Sequence, residues 1–282
     1  MKVLSLLSVS VLLACSASSA MAEQAAAKGR VLVLLSSENV MQLQDGKTEP
    51  TGYYLNEFGV PADKLQQAGY QLVLATPKGN APVVDQKSVV AQYFGNDVNE
   101  MQRISTVVSN LPGINDTLSL TEVIDGGLQQ YDAVFIPGGH APLIDLVNNP
   151  QVGTILSYFH QQGKPTAAIC HGPIALLSAQ AKPKAFETAL VQGNAGKATD
   201  WIYAGYNMTI FSNSEEAVFE SSLNGAKLRY YPGKAMATAG ADMQFAADWQ
   251  PNVVVDRELI TGQNPFSDNA LVKALLEKLD SK

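Results

Sequence analysis

The hydrophobic pattern of this 282-residue chain is dominated by uninterrupted apolar runs of strand length. Four such runs lie at residues 29–37, 69–77, 131–139 and 163–170, and two further runs lie at 206–212 and 252–262. Apolar runs without polar alternation are typical of strands that are buried on both faces, as in a parallel sheet. The pattern therefore predicts a sheet in the middle of the molecule.

Segments with helical spacing lie between or after these strands. They cover residues 61–69, 149–163 and 268–279. Proline in the first turn and glycine after the last residue mark the start and end of the first two helices. Alternating strands and helices predict an α/β fold with a mainly parallel sheet. The irregular stretch 80–116 is interpreted as an insertion or lid within a single domain that runs from residue 23 to residue 282.

The first 22 residues have a different composition from the rest of the chain. Lys2 precedes an apolar block, and small residues follow as far as Ala22. This layout is typical of a cleavable secretory signal, and it predicts export to a bacterial periplasm with cleavage after Ala22. Lipid attachment at Cys15 is the alternative, although Leu13 fits the lipid-attachment pattern poorly.

Composition and charge exclude several kinds of partner. The chain has 19 basic and 26 acidic residues, a net charge of −7, which argues against binding to nucleic acid or to an anionic membrane surface. No run after the signal approaches the ~18 apolar residues of a membrane span. Only three histidines are present, and they show no spacing typical of metal ligands, so neither a metal nor another cofactor is predicted.

Cys170 is the only cysteine outside the predicted signal, so it can form no internal disulfide there. It ends an apolar strand, and Gly172 begins a helix-like segment. A strand that runs directly into a helix holds the residue at the turn away from the sheet, and the positive end of the helix would stabilise a thiolate. Cys170 is therefore a candidate nucleophile, with a small buried core cysteine as the alternative. His171 could assist, although neighbours at such a turn tend to point apart.

Two other segments follow predicted strands and carry candidate groups. Gly138 and Gly139 would expose backbone amides that can stabilise an oxyanion, and His140 could line the same site. Glu57 stands among aromatic and apolar residues, where desolvation would raise its pKa and suit it to moving a proton. A simple tight turn, a structural histidine and an exposed carboxylate are the alternative interpretations.

Five segments stand out in chain order: TGYYLNEFGVP, FIPGGHAPLIDL, AAICHGPIALL, WIYAGYNMTIFSNSEEA and LITGQNPFS. Together they resemble the ThiJ/PfpI superfamily, specifically its branch of heat-shock chaperones and glutathione-independent glyoxalases. The resemblance implies a flavodoxin-like three-layer sandwich with Cys170 at a nucleophile elbow, His171 beside it and Glu57 as the acid. It also implies that Gly138 and Gly139 face the cysteine. Related proteins are often dimers, so a homodimer is an expectation.

Three features differ from the pattern of that superfamily or extend it. Ala141 follows His140 where the family commonly has glycine, so the backbone there is less free. Tyr54 stands where some chaperone members have a metal-binding histidine, which argues against that metal site. In some members an acidic residue orients the histidine beside the nucleophile, and Glu215 and Glu216 are the candidates here.

The resemblance implies a lyase of the glyoxalase III (D-lactate dehydratase) type, which converts a 2-oxoaldehyde such as methylglyoxal to a 2-hydroxy acid such as lactate. Cys170 would add to the aldehyde, amides near Gly139 would hold the oxyanion, and Glu57 would move a proton between the two carbons. The first alternative is a stress-response holdase, or a redox-responsive protein with an oxidisable Cys170. A cysteine peptidase or amidase is the last alternative.

Overall fold

The computed structural model describes residues 27–281. The predicted export signal and Cys15 lie outside the described residues, so export and lipid attachment remain predictions. Within residues 27–281, none of the helices combines the length and the apolar character needed to cross a membrane.

Strands and helices alternate along most of the chain. The strands are β1 (Gly29–Leu34), β2 (Val40–Gln42), β3 (Thr48–Pro50), β4 (Tyr70–Thr76), β5 (Leu118–Ser119), β6 (Ala133–Ile136), β7 (Thr166–Ile169), β8 (Asn207–Met208), β9 (Asp242–Met243), β10 (Val253–Asp256) and β11 (Leu259–Gly262). The α-helices are α1 (Leu55–Gln67), α2 (Val98–Ser109), α3 (Leu120–Asp125), α4 (Pro142–Asp145), α5 (Pro150–Gln161), α6 (Pro183–Val191), α7 (Asn213–Ser221), α8 (Pro232–Ala239) and α9 (Asp268–Asp280).

Seven strands form the central sheet in the order β10-β11-β7-β6-β1-β4-β5. All neighbours in this sheet are parallel except β10 and β11. Leu32 and Leu34 of β1 belong to one hydrophobic core, whereas Val31 and Val33 belong to the other. Both faces of β1 are therefore buried, which explains its unbroken apolar sequence. The α/β prediction with a mainly parallel sheet between two helical layers is confirmed.

Two predicted strands differ from the structure. Most of 206–212 is not strand, because β8 is only two residues long and pairs with β9 outside the central sheet. The segment 252–262 is an antiparallel hairpin instead of one strand, since the chain reverses at Arg257, whose φ is +55°. Burial of Ile210 and Phe211 beside the sheet accounts for the apolar character of the first segment.

The first helix begins at Leu55, six residues before the predicted start. Phe58, Ala62 and Leu65 are fully buried and recur at helical spacing, so Pro61 lies inside the helix instead of at its start. Proline is far commoner in the first turn of a helix than in its interior, which is why Pro61 was expected to mark the start. The earlier start places Glu57 in the first turn of α1.

The stretch 80–116, interpreted from the sequence as an insertion or lid, contains α2, which packs against α1. Ile104 and Val108 of α2 belong to the same hydrophobic core as Phe58 of α1. The 3-10 helix Ala91–Phe94 precedes α2 and buries Phe94. This stretch is thus continuous with the core on one face of the sheet.

We expect Ile104→Ala to lower the free energy of unfolding by about 2–4 kcal/mol, because it removes a fully buried side chain between α1 and α2. Chemical denaturation followed by circular dichroism measures the change. The matched control is Val98→Ala on the same helix, where the side chain is 51% exposed and the expected change is within ~0.5 kcal/mol. Equal stability of the two variants would show that α2 does not pack on the core.

Candidate active site

Cys170 occupies a strained turn at the end of β7. Its φ is +57°, which costs a residue with a side chain roughly 1–3 kcal/mol. Two backbone hydrogen bonds hold the turn: the Cys170 amide donates to the Gly262 carbonyl at 2.9 Å, and the Phe211 amide donates to the Cys170 carbonyl at 2.9 Å. A 3-10 helix, Gly172–Ser178, follows directly where an α-helix was expected. The turn has the geometry of the predicted elbow.

His171 faces the thiol, so the expectation that the two neighbours point apart is wrong. Its Nδ1 lies 3.2 Å from Cys170 Sγ, and its Nε2 lies 2.7 Å from Glu216 Oε2. An ionised carboxylate can only accept hydrogen bonds, so we assign the ring proton to Nε2. Nδ1 is then an acceptor that faces the thiol. These contacts form a Cys-His-Glu triad. Of the two candidate acids, Glu216 is the one that contacts His171.

Glu216 is shared by two histidines. Its Oε1 accepts from His140 Nε2 at 2.7 Å, and the rings of His140 and His171 have centroids 3.9 Å apart. His140 also stacks on Phe219 with a centroid distance of 4.0 Å. His140 was predicted as a substrate or oxyanion group; it does line the cavity beside Cys170, but its Nε2 is bound to Glu216.

Glu215, the other candidate, contributes to structure instead. It forms a capping box with Ser212 at the start of α7. Its Oε1 also accepts from the Trp249 amide at 2.7 Å and from Asn264 Nδ2 at 2.8 Å. These bonds tie the loops before and after the β10–β11 hairpin to α7.

The charges within the triad follow from burial and from its hydrogen bonds. Burial, reinforced by His140, lowers the pKa of His171 to about 4, so the ring is neutral at neutral pH. Burial alone would raise the pKa of Glu216, but His140 and His171 outweigh that effect and lower it to about 2. A neutral imidazole with an ionised carboxylate behind it is the resting state required of a general base.

Glu57 is fully buried, and its surroundings raise the pKa of its carboxyl group, whereas those of Glu216 lower it. Neither carboxyl oxygen of Glu57 has a hydrogen-bond partner of good geometry within the described residues. Burial raises the pKa of Glu57 well above its usual value, and Asp268 raises it further. The nearby Cys170 thiol and the amides of Gly139 and Gly138 offset part of that rise in pKa. Glu57 can therefore hold a proton at pH values where an ordinary carboxyl is ionised.

The Cys170 thiol is 1% exposed, and burial together with Glu57 raises its pKa well above the usual value. The expectation that a helix terminus stabilises the thiolate is therefore wrong for the resting protein. Desolvation disfavours the charged thiolate, and the neighbouring Glu57 disfavours it further. The thiol must lose its proton to a base when it reacts, and His171 Nδ1 is in position to accept it.

Gly138 and Gly139 lie where β6 ends, and a side chain at either position would be blocked. A Cβ at Gly138 would overlap the Glu57 carboxylate and the Cys170 side chain. Gly139 has φ +77°, and a Cβ there would overlap the Gly52 carbonyl. The loop thus approaches Cys170, the residue it was expected to face, and it also approaches Glu57. Its amides act on Glu57, and their role toward an oxyanion remains a prediction.

A cavity of about 260 Å³ opens beside Cys170. Its walls are mostly aromatic and apolar, and the lining residues are Tyr54, Lys87, Tyr93, His140, Cys170, His171, Phe211, Val218, Phe219, Ser222, Trp249 and Pro265. Glu57 is not among them. A molecule in the cavity therefore reaches the thiol and the histidines directly.

The fold also assembles a group of possible metal ligands that sequence spacing did not reveal. The donor atoms of His140, His171 and Glu216 all lie within 4.8 Å of one another. These atoms are already joined by the two 2.7 Å hydrogen bonds, so a metal ion would have to displace both. The contacts fit two histidines that each donate from Nε2 to one carboxylate.

The chain belongs to the DJ-1/PfpI family, whose sequence profile matches residues 51–208. The resemblance found in the sequence is thereby confirmed. Among curated proteins, the protein/nucleic acid deglycase HchA of Staphylococcus aureus strain MSSA476 is 26% identical over 257 residues, which cover 89% of this chain and 80% of that protein. The corresponding proteins of several other strains of that species match at similar identity.

Solved structures share the fold over nearly the whole described region. Glyoxalase III from Candida albicans has a TM-score of 0.68 at 22% identity and covers 90% of this chain and 98% of that chain. The Rapid Encystment Protein 24 KDa of Francisella tularensis has a TM-score of 0.67 at 22% identity, with 89% and 99% covered. At these identities the likeness establishes the three-layer fold.

The pKa of His171 predicts how stability depends on pH. Because the folded-state pKa is about 4 and the usual value is 6.5, the folded protein binds fewer protons than the unfolded chain between these values. Stability should therefore fall as the pH drops from 6.5 to 4, by roughly 3 kcal/mol from this group. Urea denaturation across this range should show a clearly shallower pH dependence for His171→Gln. Identical slopes for wild type and variant would contradict the assignment.

Proposed function

We propose that this protein is a glutathione-independent enzyme of the glyoxalase/deglycase type, which converts a small 2-oxoaldehyde to a 2-hydroxy acid. The observation that carries the proposal is the position of the Cys170 thiol between two buried groups: His171, a neutral hydrogen-bond acceptor, and Glu57, a carboxyl with a raised pKa. Cys170 contacts the neutral His171 on one side, and on the other it lies beside the buried carboxyl of Glu57, whose pKa is raised. A nucleophile, a base and a separate proton carrier are the groups that this isomerisation requires.

The proposed reaction begins when Cys170 Sγ adds to the aldehyde carbon. The thiol proton passes to His171 Nδ1, and from there to the new hemithioacetal oxygen. Glu57 acts in this step as its carboxylate, which the raised pKa makes a stronger base than an ordinary carboxylate. It takes the hydrogen of the former aldehyde carbon as a proton and returns it to the neighbouring carbon. A second proton moves between the two oxygens through His171. Water hydrolyses the resulting thioester, which releases the 2-hydroxy acid and restores the thiol.

The enclosure of the site favours a free small aldehyde over an adduct on a macromolecule. The staphylococcal relatives are named protein/nucleic acid deglycases, and removal of such adducts would use the same thiol chemistry. Here Cys170 is 1% exposed at the edge of a 260 Å³ cavity, which restricts the approach of a folded protein or a nucleic acid. The same enclosure and the raised pKa of the thiol argue against an oxidation sensor, since oxidation follows thiolate character and exposure.

A cysteine hydrolase is the second candidate, because the 3.2 Å contact between Cys170 and His171 and the link to Glu216 fit a catalytic triad. Glu57 separates the two proposals, because acyl transfer by a triad needs no second carboxyl beside the thiol. A holdase would instead suppress the aggregation of a client protein, and this effect would not depend on Cys170.

We expect the purified wild type to form lactate from methylglyoxal without glutathione. Cys170→Ser should lower kcat/KM at least ~10³-fold, and Glu57→Gln at least ~10²-fold, because each removes a group that acts on the reacting carbons. Glu258→Gln is the control, since Glu258 is also a buried carboxyl but lies at the opposite end of β11 from Gly262. Lactate is quantified enzymatically.

The outcomes separate the candidates. Lactate formation that persists in Cys170→Ser would remove the thiol from the mechanism. Absence of lactate in the wild type, together with suppression of client aggregation, would replace the enzyme proposal with the holdase. Ester or peptide hydrolysis that survives Glu57→Gln, without lactate formation, would favour the hydrolase.

The role of Glu216 is tested through the tautomer of His171. Glu216→Gln keeps the size of the side chain but cannot accept from both histidines, so one ring must change tautomer or lose its bond. We expect kcat/KM to fall ~10²- to 10⁴-fold and its pH profile to shift. Glu216→Asp should recover part of the activity. A wild-type pH profile in Glu216→Gln would show that the carboxylate does not act through His171.

A further inference from the structure

The cavity beside Cys170 is larger than a three-carbon aldehyde requires. Its 260 Å³ would hold about eight water molecules at ~30 Å³ each. Methylglyoxal would occupy only a small part of that space and would leave the more distant walls without contact. Unfilled apolar space next to a bound substrate forfeits binding energy, so the shape of the cavity suits a bulkier molecule.

The walls of the cavity consist largely of aromatic rings from four separate segments. Tyr54 lies at the start of α1 and Tyr93 in the 3-10 helix Ala91–Phe94, and their ring centroids are 5.8 Å apart. Phe211 precedes α7 and Trp249 precedes β10, and these rings meet edge to face at 5.7 Å. Rings presented in this way can pack against a planar guest by stacked or edge-to-face contacts.

The charges around the cavity point to an uncharged ligand. Lys87 is the only lysine, arginine, aspartate or glutamate among the lining residues. Its ammonium is already paired with Glu49 at 2.7 Å and is 3.3 Å from the Pro50 carbonyl. Among residues 27–281, therefore, no unpaired cation lines the cavity for a carboxylate or phosphate group.

Hydroxyl groups near the thiol complement a dicarbonyl. Burial raises the pKa of Tyr93 to about 12, and the nearby Cys170 and Glu57 contribute to the rise. Burial likewise raises the pKa of Tyr54, with Cys170 and Glu57 again among the contributing groups. Tyr54, Tyr93 and Cys170 line the same cavity. A protonated phenol there can donate a hydrogen bond to the ketone oxygen of a bound 2-oxoaldehyde.

We propose that the preferred substrates are uncharged 2-oxoaldehydes with an aromatic substituent, as in phenylglyoxal, and that the rings of Tyr93, Phe211 and Trp249 bind that substituent. This inference rests on the proposed function. The chemistry is unchanged: one hydrogen moves as a proton from the aldehyde carbon to the ketone carbon, and water supplies the remaining oxygen. Phenylglyoxal then yields mandelate.

The test compares kcat/KM for phenylglyoxal and methylglyoxal without glutathione, with mandelate and lactate quantified by chromatography. We expect phenylglyoxal to be preferred at least ~10-fold, since even one added methylene in an apolar pocket is worth roughly that much. Trp249→Leu should reduce this preference at least ~5-fold. Phe245→Ala is the control, because Phe245 is 44% exposed and does not line the cavity.

Each result supports or overturns a distinct statement. Measurable conversion of methylglyoxal with no preference for phenylglyoxal would overturn this inference and leave the proposed function intact. Conversion of neither aldehyde would overturn the proposed function itself. A wild-type preference that is unchanged in Trp249→Leu would overturn the assignment of that ring to the substituent.

Discussion

The backbone turn at Cys170 is the constraint on which the rest of the site depends. A residue with a side chain at φ +57° is unfavourable, and two hydrogen bonds, to Gly262 on β11 and from Phe211, keep it in place. The turn directs the thiol toward His171, the next residue in the chain, and toward Glu57 in the first turn of α1. Because both hydrogen-bond partners come from later parts of the chain, the Cys170 thiol is held in place only once those parts have packed against β7.

Glu216 and Glu57 are both buried, but their surroundings shift the pKa values of the two carboxyl groups in opposite directions. Glu216 accepts from two histidines, so it stays ionised and keeps His171 in the tautomer that faces the thiol. Glu57 has no well-formed hydrogen bond to any described residue, and burial raises its pKa so that it retains a proton more readily. Environments that push the pKa values of similar groups apart are how a single site can supply both a base and a proton carrier.

Much of the fold was predictable because strands that are buried on both faces have unbroken apolar sequences. The apolar runs that became β1, β4, β6 and β7 were identified within a few residues. The apolar run 206–212 was wrongly predicted to be a strand, because a loop packed against the sheet also needs apolar side chains. Hydrophobicity reports that a segment is buried, whereas hydrogen bonding to a neighbour decides whether it is a strand.

By itself the sequence determined the α/β architecture and indicated Cys170, His171 and Glu57 as candidate site residues, because strand ends and the family motifs are local features. Tertiary structure alone decided that Glu216 supports His171, that His140 shares the same carboxylate, and that the resting thiol is protonated. Those properties depend on distances between residues far apart in the chain and on exclusion of water. Neither quantity exists until the segments have packed together.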